Sequence, residues 1–494
     1  MLRRTFVTVG TAAFALSSIG IRRIAWASGS ELPALGPDGK QISLGGADVD
    51  DFRAGLRGEL LTRGQDGYDA ARRVWNGAFD RKPALIARCA GTADVMRSLA
   101  FGRAHGLIVA VRGGGHSMSG QSVCEGGLMI DLSPMKSVHI DPVAKRGRIE
   151  AGVLLGQFDA EAQAFGLATT AGTVSHTGAA GLTLGGGFGR IGRRFGLACD
   201  NMCAAEIVTA NGKLLRVSEQ ENADLLWGLR GGGGNFGVVT SFEYRMHKVD
   251  SIMLGGPLIY PLAQARAAFS HFADFVQTAP DVLYADAILT TGPGGQRIFA
   301  LDLCYSGPLA QGERVLAPLR SFGKPIMDGV RPTPYVKLQQ SADEVNRHGR
   351  FSYSKSGFLR RIEPNMVSTC IEHVSESTVP AGATVIFAHH GGAISRVKPA
   401  ASAFFHREAQ HSVLVLGIAD KAEDAPAATQ WARNLWKAAE PMTNGFYVNE
   451  VNGDDPEKRI RGSYGANYPR LVALKTKYDP TNLLRMNANI KPAA

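Results

Sequence analysis

The chain has 494 residues, 45% of them hydrophobic and 20% charged, enough apolar side chain for two or three full-sized cores and the wrong balance for a disordered or low-complexity protein. Its net charge of +10 gathers into no basic stripe with interleaved aromatics, which argues against a nucleic-acid partner. Sixty glycines, roughly 12% against a usual 7%, fall in runs at 113–115, 185–187 and 231–234, so something must approach the backbone closely.

In chain order, residues 1–27 read as a signal peptide. A basic start with Arg3-Arg4 precedes an apolar stretch from Phe6 to Ile21 and "AWA" before a cut after Ala27. The apolar stretch is shorter than the roughly 20 residues that span a bilayer, and a membrane anchor is the alternative. The paired arginines are similar to a twin-arginine leader, whose pathway exports folded proteins. The expectation is a periplasmic or extracellular protein without stable membrane insertion. Ala93 to Gly106 then predicts a helix stopped by glycine, and "LIVAV" a buried strand. "LMIDL" and "GRIEAG" predict further strands and "LLGQFDAEAQAFG" a helix. "AEIVTANGKLLRVS" is a hairpin around Asn211-Gly212, "ENADLLWGLRGGGG" a helix running into glycines, and "FGVVTSFEYRMHKV" an alternating strand that closes a first unit near Val249. From 250 to 443 the texture is that of strands and amphipathic helices. The chain then passes through "FYVNEV" to a last helix stopped by Asp479-Pro480.

Familiar chemistry is mostly excluded. GxxxxGK[ST], HExxH and GxSxG are absent. GxGxxG occurs at 187–192 and 232–237, but neither match follows a strand and opens a helix, as dinucleotide binding requires. The six cysteines (Cys89, Cys124, Cys199, Cys203, Cys304, Cys370) are too sparse for a disulfide scaffold and complete no zinc pattern. One or two disulfides after export remain open, and no metal is expected. That leaves "VRGGGHSMSG" at 111–120, where three glycines can turn backbone amides inward around an anion and hold one histidine beside it.

That stretch acquires meaning from four others: "DLSPMKSV", "TTAGTVSHTGAAGLTLGGGFGRIGRRFGLACDNM", "ENADLLWGLRGGGGNFGVVTSFEYRMHKV" and the tail from "YVNEV" to "NANIKP". In order and spacing the five blocks resemble the berberine bridge enzyme-like FAD-linked oxidases, within the vanillyl-alcohol oxidase or PCMH-type superfamily. The resemblance implies an α+β fold. A PCMH-type FAD-binding domain of two α+β subdomains would occupy 81–249, a substrate domain with an antiparallel sheet covered by helices 250–443, and a segment returning to the flavin 444–494. By motif, Arg112, Gly113, Gly114, Gly115, His116 and Ser117 would wrap the pyrophosphate. Gly172, Thr173, Gly178, Gly181, Gly185, Gly186 and Gly187 would line the cofactor, and Asp200, Asn201, Ile207 and Val208 would lie near its far end. Asn487 and Asn489 would close over it.

His116 matches the histidine that the family bonds to the flavin 8α-methyl carbon, as a neutral nucleophile. A second bond, through cysteine, falls at Val174, so one covalent link is expected. Thr177 stands where relatives carry a residue thought to gate oxygen, which leaves the acceptor, O2 or another, open. In "YVNEV" Glu450 occupies the place of an active-site tyrosine and is the candidate base, with Tyr447 and Asn449 orienting the segment. Tyr353, His389 and His390 are second-domain candidates read mainly as structural. The expected function is FAD-linked oxidation of a small alcohol, sugar or similar molecule with hydrogen peroxide as co-product. The alternatives are a dehydrogenase and a non-catalytic binding protein.

Overall fold

The computed structural model describes residues 31–493 apart from 293, 377 and 378; the leader reading of residues 1–27 lies outside them. Three principal sheets organise the chain. The first has the strand order Glu59–Leu61, Leu85–Arg88, Leu128–Asp131, Val109–Arg112. Its last three strands run parallel, because helix Thr92–Ala104 carries the chain back between Leu85–Arg88 and Val109–Arg112. Parallel strands buried on both faces need continuous apolar sequence, and Leu85, Ile86, Leu128, Met129 and Ile130 are all fully buried. Strand Val109–Arg112 therefore ends inside the protein, at Gly113.

The second sheet is antiparallel, in the order Leu214–Ser218, Met202–Thr209, Gly237–Arg245, Arg146–Glu150, Val138–Asp141. The Asn211-Gly212 turn joins its first two strands, with Gly212 at φ +85°. The sequence predicts one strand through Val249; the ladder instead breaks after Arg245, and His247–Lys248 pairs with Leu167–Ala168.

The third sheet is antiparallel and follows the path Met327–Asp328, Ile252–Pro261, Arg297–Tyr305, Leu283–Thr291, Thr384–His389, His411–Ala419, Phe351–Leu359. Helices Ala265–Phe275, Pro364–Ser375 and Ala425–Ala439 share a core with one face of it, through Phe269, Met366, Trp431 and Leu435. Alternation assigns the faces: Leu283, Ala285, Ala287 and Leu289 pack under the helices, and Tyr284, Asp286, Ile288 and Thr290 point the other way, into a cavity. The C-terminal helix Tyr468–Tyr478 and the tail return to the first core, which contains Leu471, Leu474, Leu484 and Ile490. No disulfide forms; all six cysteines are free, and all but Cys203 are buried. No helix among the described residues is long and apolar enough to cross a membrane.

Candidate active site

A cavity of about 910 Å³ lies between the glycine loops and the open face of the third sheet, at the upper end of small-molecule sites, which run to roughly 1,000 Å³. One wall is the 113–117 loop. A side chain on Gly114 would collide with the backbone of Gly178 and one on Gly178 with Gly114, and Gly115 has φ +68°, so two loops meet backbone to backbone as only glycine permits. None of the amides of Gly113 to Ser117 donates to an acceptor among the described residues, leaving successive N–H groups free for an anion. Opposite, Cβ atoms on Gly181 and Gly234 would meet no protein atom within 4 Å, and both residues line the cavity. With Val109, Leu132, Val238 and Val239 also on the wall, this half fits a flat, diphosphate-bearing group such as FAD.

Of the residues named from sequence, Gly113, Gly114, Gly115, His116, Ser117, Gly172, Thr173, Val174, Thr177, Gly178, Gly181, Tyr447, Asn449, Glu450 and Asn487 line this cavity. Others do not. The Arg112 guanidinium turns to the Ala71 carbonyl, 3.8 Å from Asp131. Asp200 accepts two 2.7 Å bonds from the buried Arg407, and Asn201 binds the Phe195 and Leu197 carbonyls and His247. Ile207 and Val208 are core residues of the second sheet. Asn489 lies off the cavity, its side-chain oxygen unpartnered. Gly185 to Gly187 sit behind the wall and serve another element. A side chain on Gly185 would occupy the place of the Asn449 amide, and the Gly187 N–H donates to the Tyr447 hydroxyl at 2.9 Å.

That element is the Tyr447–Glu450 segment. It forms a 3₁₀ turn at Val448–Glu450, not a strand, because Asn449 donates to the Leu182 carbonyl at 3.0 Å and to the Tyr447 hydroxyl at 2.8 Å. Burial drives the Tyr447 phenol well above its ordinary range, so it stays protonated while its oxygen accepts two hydrogen bonds. Burial lifts the Glu450 carboxyl to about 7, with Ser356 and Arg459 beside it pulling the other way. Its Oε2 is buried without a partner, and the residue lines the cavity.

His116 stacks on Trp75 with ring centroids 4.4 Å apart. Burial, and to a smaller extent His176 and His348, hold its imidazole at about 3, so it is neutral at any physiological pH. No cysteine lines the cavity among the described residues. On the sheet floor Asp286 accepts the Tyr284 hydroxyl at 2.5 Å and the His389 amide at 3.0 Å. Burial raises its carboxyl to about 7. The neighbouring Asp302 pairs with the buried Arg190 at 2.8 Å, and Ile288, Ala300, Ile386 and Leu414 make the adjoining floor apolar.

His389 and His390 line the cavity, both held neutral by burial. Tyr353 lies elsewhere, bonded to Asp454. Sequence reasoning passed over Trp75, His176, His348, Gly233, Gly234 and Asp286. The glycine run at 231–234 marked Gly233 and Gly234, and alternation in "LYADAILTT" marked Asp286.

Comparison with known proteins bears on this geometry. A family model for an FAD binding domain matches residues 83–218, and one for berberine and berberine-like proteins matches residues 446–491. An FAD-linked oxidoreductase of Dictyostelium discoideum is 31% identical over 447 residues, 90% of this chain and 97% of that protein. The (R)-6-hydroxynicotine oxidase of Paenarthrobacter nicotinovorans is 31% identical over 457 residues, with 88% and 97% covered. The crystal structure of 6-hydroxy-D-nicotine oxidase from Arthrobacter nicotinovorans superposes with TM-score 0.81 at 27% identity, covering 89% of this chain and 98% of that one. A glucooligosaccharide oxidase from Acremonium strictum with a 6-S-cysteinyl, 8α-N1-histidyl FAD shares the fold, with TM-score 0.82 at 22% identity and 90% and 100% covered.

Proposed function

The chain is an FAD-dependent oxidoreductase of the berberine bridge enzyme-like family, and from that premise we propose that it oxidises a small alcohol or amine in the cavity, with Glu450 as base and FAD held by one covalent bond at His116. The carrying observation is Glu450: a buried carboxyl raised to about 7, one oxygen unpartnered, on the wall of the cavity that contains the glycine cradle.

When bound, FAD supplies a two-electron acceptor that takes hydride from a carbon bearing a hydroxyl or amine and passes the pair to oxygen, giving hydrogen peroxide. The protein does the rest. The free amides of Gly113 to Ser117 bind the diphosphate. His116, neutral and stacked on Trp75, presents the linking nitrogen. Val174 offers no thiol for a second bond, unlike the doubly linked FAD of the Acremonium strictum enzyme. Glu450 accepts the proton from the reacting hydroxyl or amine, a contribution of roughly 10²–10⁴-fold. Tyr447 and Asn449 fix its turn against Leu182 and Gly187. On the floor, Asp286 and the apolar stretch beside it orient a molecule with one polar end. The similarity to a 6-hydroxynicotine oxidase, in sequence and in fold, supports an amine as readily as a sugar. The paired arginines near the N-terminus support export of the folded chain.

The test is anaerobic flavin reduction against pH with a panel of amines, secondary alcohols and sugars. A base must be ionised to act, so the reduction rate with the active compound is expected to rise through pH 7. Glu450→Gln is expected to lose roughly 10²-fold or more and the inflection with it. An unchanged rate in Glu450→Gln removes the base assignment. Mixing the reduced protein with oxygen separates oxidase from dehydrogenase, the question that Thr177 poses.

A further inference from the structure

Three imidazoles lead from the cavity wall to the surface. The His116 ring lies 5.1 Å from that of His176, His176 lies 4.9 Å from His348, and the two ends are 6.4 Å apart. Exposure increases along the line. His116 Nε2 and both ring nitrogens of His176 are buried without a hydrogen-bond partner, whereas His348 is exposed. Three orphaned ring nitrogens side by side are unusual, since buried polar atoms are normally paired. They are not a metal site: no group of three potential ligands converges on a cation among the described residues.

The chain also builds the line deliberately from both domains. The segment carrying His348 is fastened to the immediate neighbours of the other two histidines. Asp343 accepts the Ser175 amide at 2.7 Å and the Ser175 hydroxyl at 2.5 Å. The Asn346 carbonyl accepts the Trp75 indole N–H at 2.5 Å, and the Gly349 amide donates to the Trp75 carbonyl at 2.9 Å.

We propose that His176 and His348 are positioning residues that carry off the proton His116 releases when it bonds to the flavin. The proposal rests on the covalent reading above. In that step His116 Nδ1 joins the 8α carbon, which loses one hydrogen as a proton. The imidazole loses the proton on Nε2, and the two electrons enter the ring system, from which molecular oxygen removes them as hydrogen peroxide. A nucleophilic Nδ1 requires the proton on Nε2, and Nε2 is the nitrogen buried without an acceptor. A turn of the His176 ring or one bridging water supplies that acceptor. His348 then passes the proton to solvent.

The test uses the full chain prepared without flavin from riboflavin-starved cells and mixed with FAD under air. Uptake is followed by quenching of flavin fluorescence and linkage by the acid-insoluble fraction. His176→Ala is expected to take up FAD normally but to link it about tenfold or more slowly, with added imidazole restoring the rate; His348→Ala is expected to slow it about threefold. A His176→Ala protein that binds FAD and links it at the wild-type rate overturns the proposal, and so does slowing that imidazole does not relieve. Should His176→Ala fail to fold, the exposed His348→Ala carries the same readout, and wild-type linkage there overturns it. Wild-type protein that never holds acid-stable flavin removes the covalent reading itself, and the relay with it.

Discussion

Glu450, Asp286 and Asp159 are three carboxyls that burial raises to about 7, and only the first two face the cavity. Asp159 is 3% exposed and accepts one 3.2 Å bond from Gln339, which also binds the Gly172 carbonyl. The contact thus ties helix Tyr335–Gln339 to the Gly172 loop. The folded-state value of Asp159 lies above its unfolded one, so the folded chain retains a proton that the unfolded chain releases between about pH 4 and 7. Stability falls with rising pH across that window and levels off above it. Asp159→Asn is therefore expected to stabilise the protein at pH 8 by up to about 4 kcal/mol, at about 1.4 kcal/mol per pH unit, and to change little at pH 4. Urea midpoints at the two values check this, and an equal difference at both contradicts it. Glu450 was legible because a glutamate stood where the family motif carries tyrosine. Trp75 was not, because nothing in the local sequence announces that its ring will lie on His116 from more than 40 residues away. Arg112 shows the converse: the motif assigns it to the pyrophosphate, but its long side chain follows Asp131 and the Ala71 carbonyl instead.

Helix and hairpin signals that depend on near neighbours were readable. The helix expected over Ala93 to Gly106 runs Thr92–Ala104, and Asn211-Gly212 makes its turn. The helix expected to end on the glycines at 231–234 does stop there, at Leu229, with Gly231 at φ +119° against the Phe404 backbone. Elements set by distant partners were not readable. The Tyr447–Glu450 stretch, unassigned from sequence, forms a turn because Leu182 and Gly187 capture its polar groups. The C-terminal helix carries a further such device. Lys475, fully buried, donates to the Asn235 carbonyl at 3.0 Å, to Asp479 at 2.7 Å and to the Leu484 carbonyl at 2.9 Å, pinning the tail to the glycine loop. Lys475→Met leaves Asp479 buried and unpaired, an expected loss of about 3–5 kcal/mol in chemical unfolding. A change below about 1 kcal/mol would show that the pair does not anchor the tail. Gly114→Ala pushes the cradle off Gly178 and is expected to abolish FAD uptake, measured by fluorescence quenching.

Across the molecule, one hydrophobic core holds the first two sheets and the C-terminal tail, and a second lies between the third sheet and its helices. The cavity opens where the unpacked face of the third sheet meets the glycine loops, so the residues proposed to hold FAD and those proposed to orient substrate come from separately packed units. Local patterns in the sequence reveal each unit, and only the resemblance reveals that they face one another. Contacts such as Asn76 to both the Met118 and Ser352 carbonyls, at 2.8 Å each, hold that alignment. A bound FAD contacting both units is expected to raise the thermal midpoint of the flavin-free chain, in proportion to the logarithm of its concentration over Kd while binding is reversible. The account stands most directly on acid precipitation of the flavin-loaded protein followed by peptide mass spectrometry. It predicts a yellow pellet, a single flavin-bearing peptide containing His116, and a colourless pellet from His116→Ala. Flavin released wholly into the supernatant, or retained by His116→Ala, would contradict it.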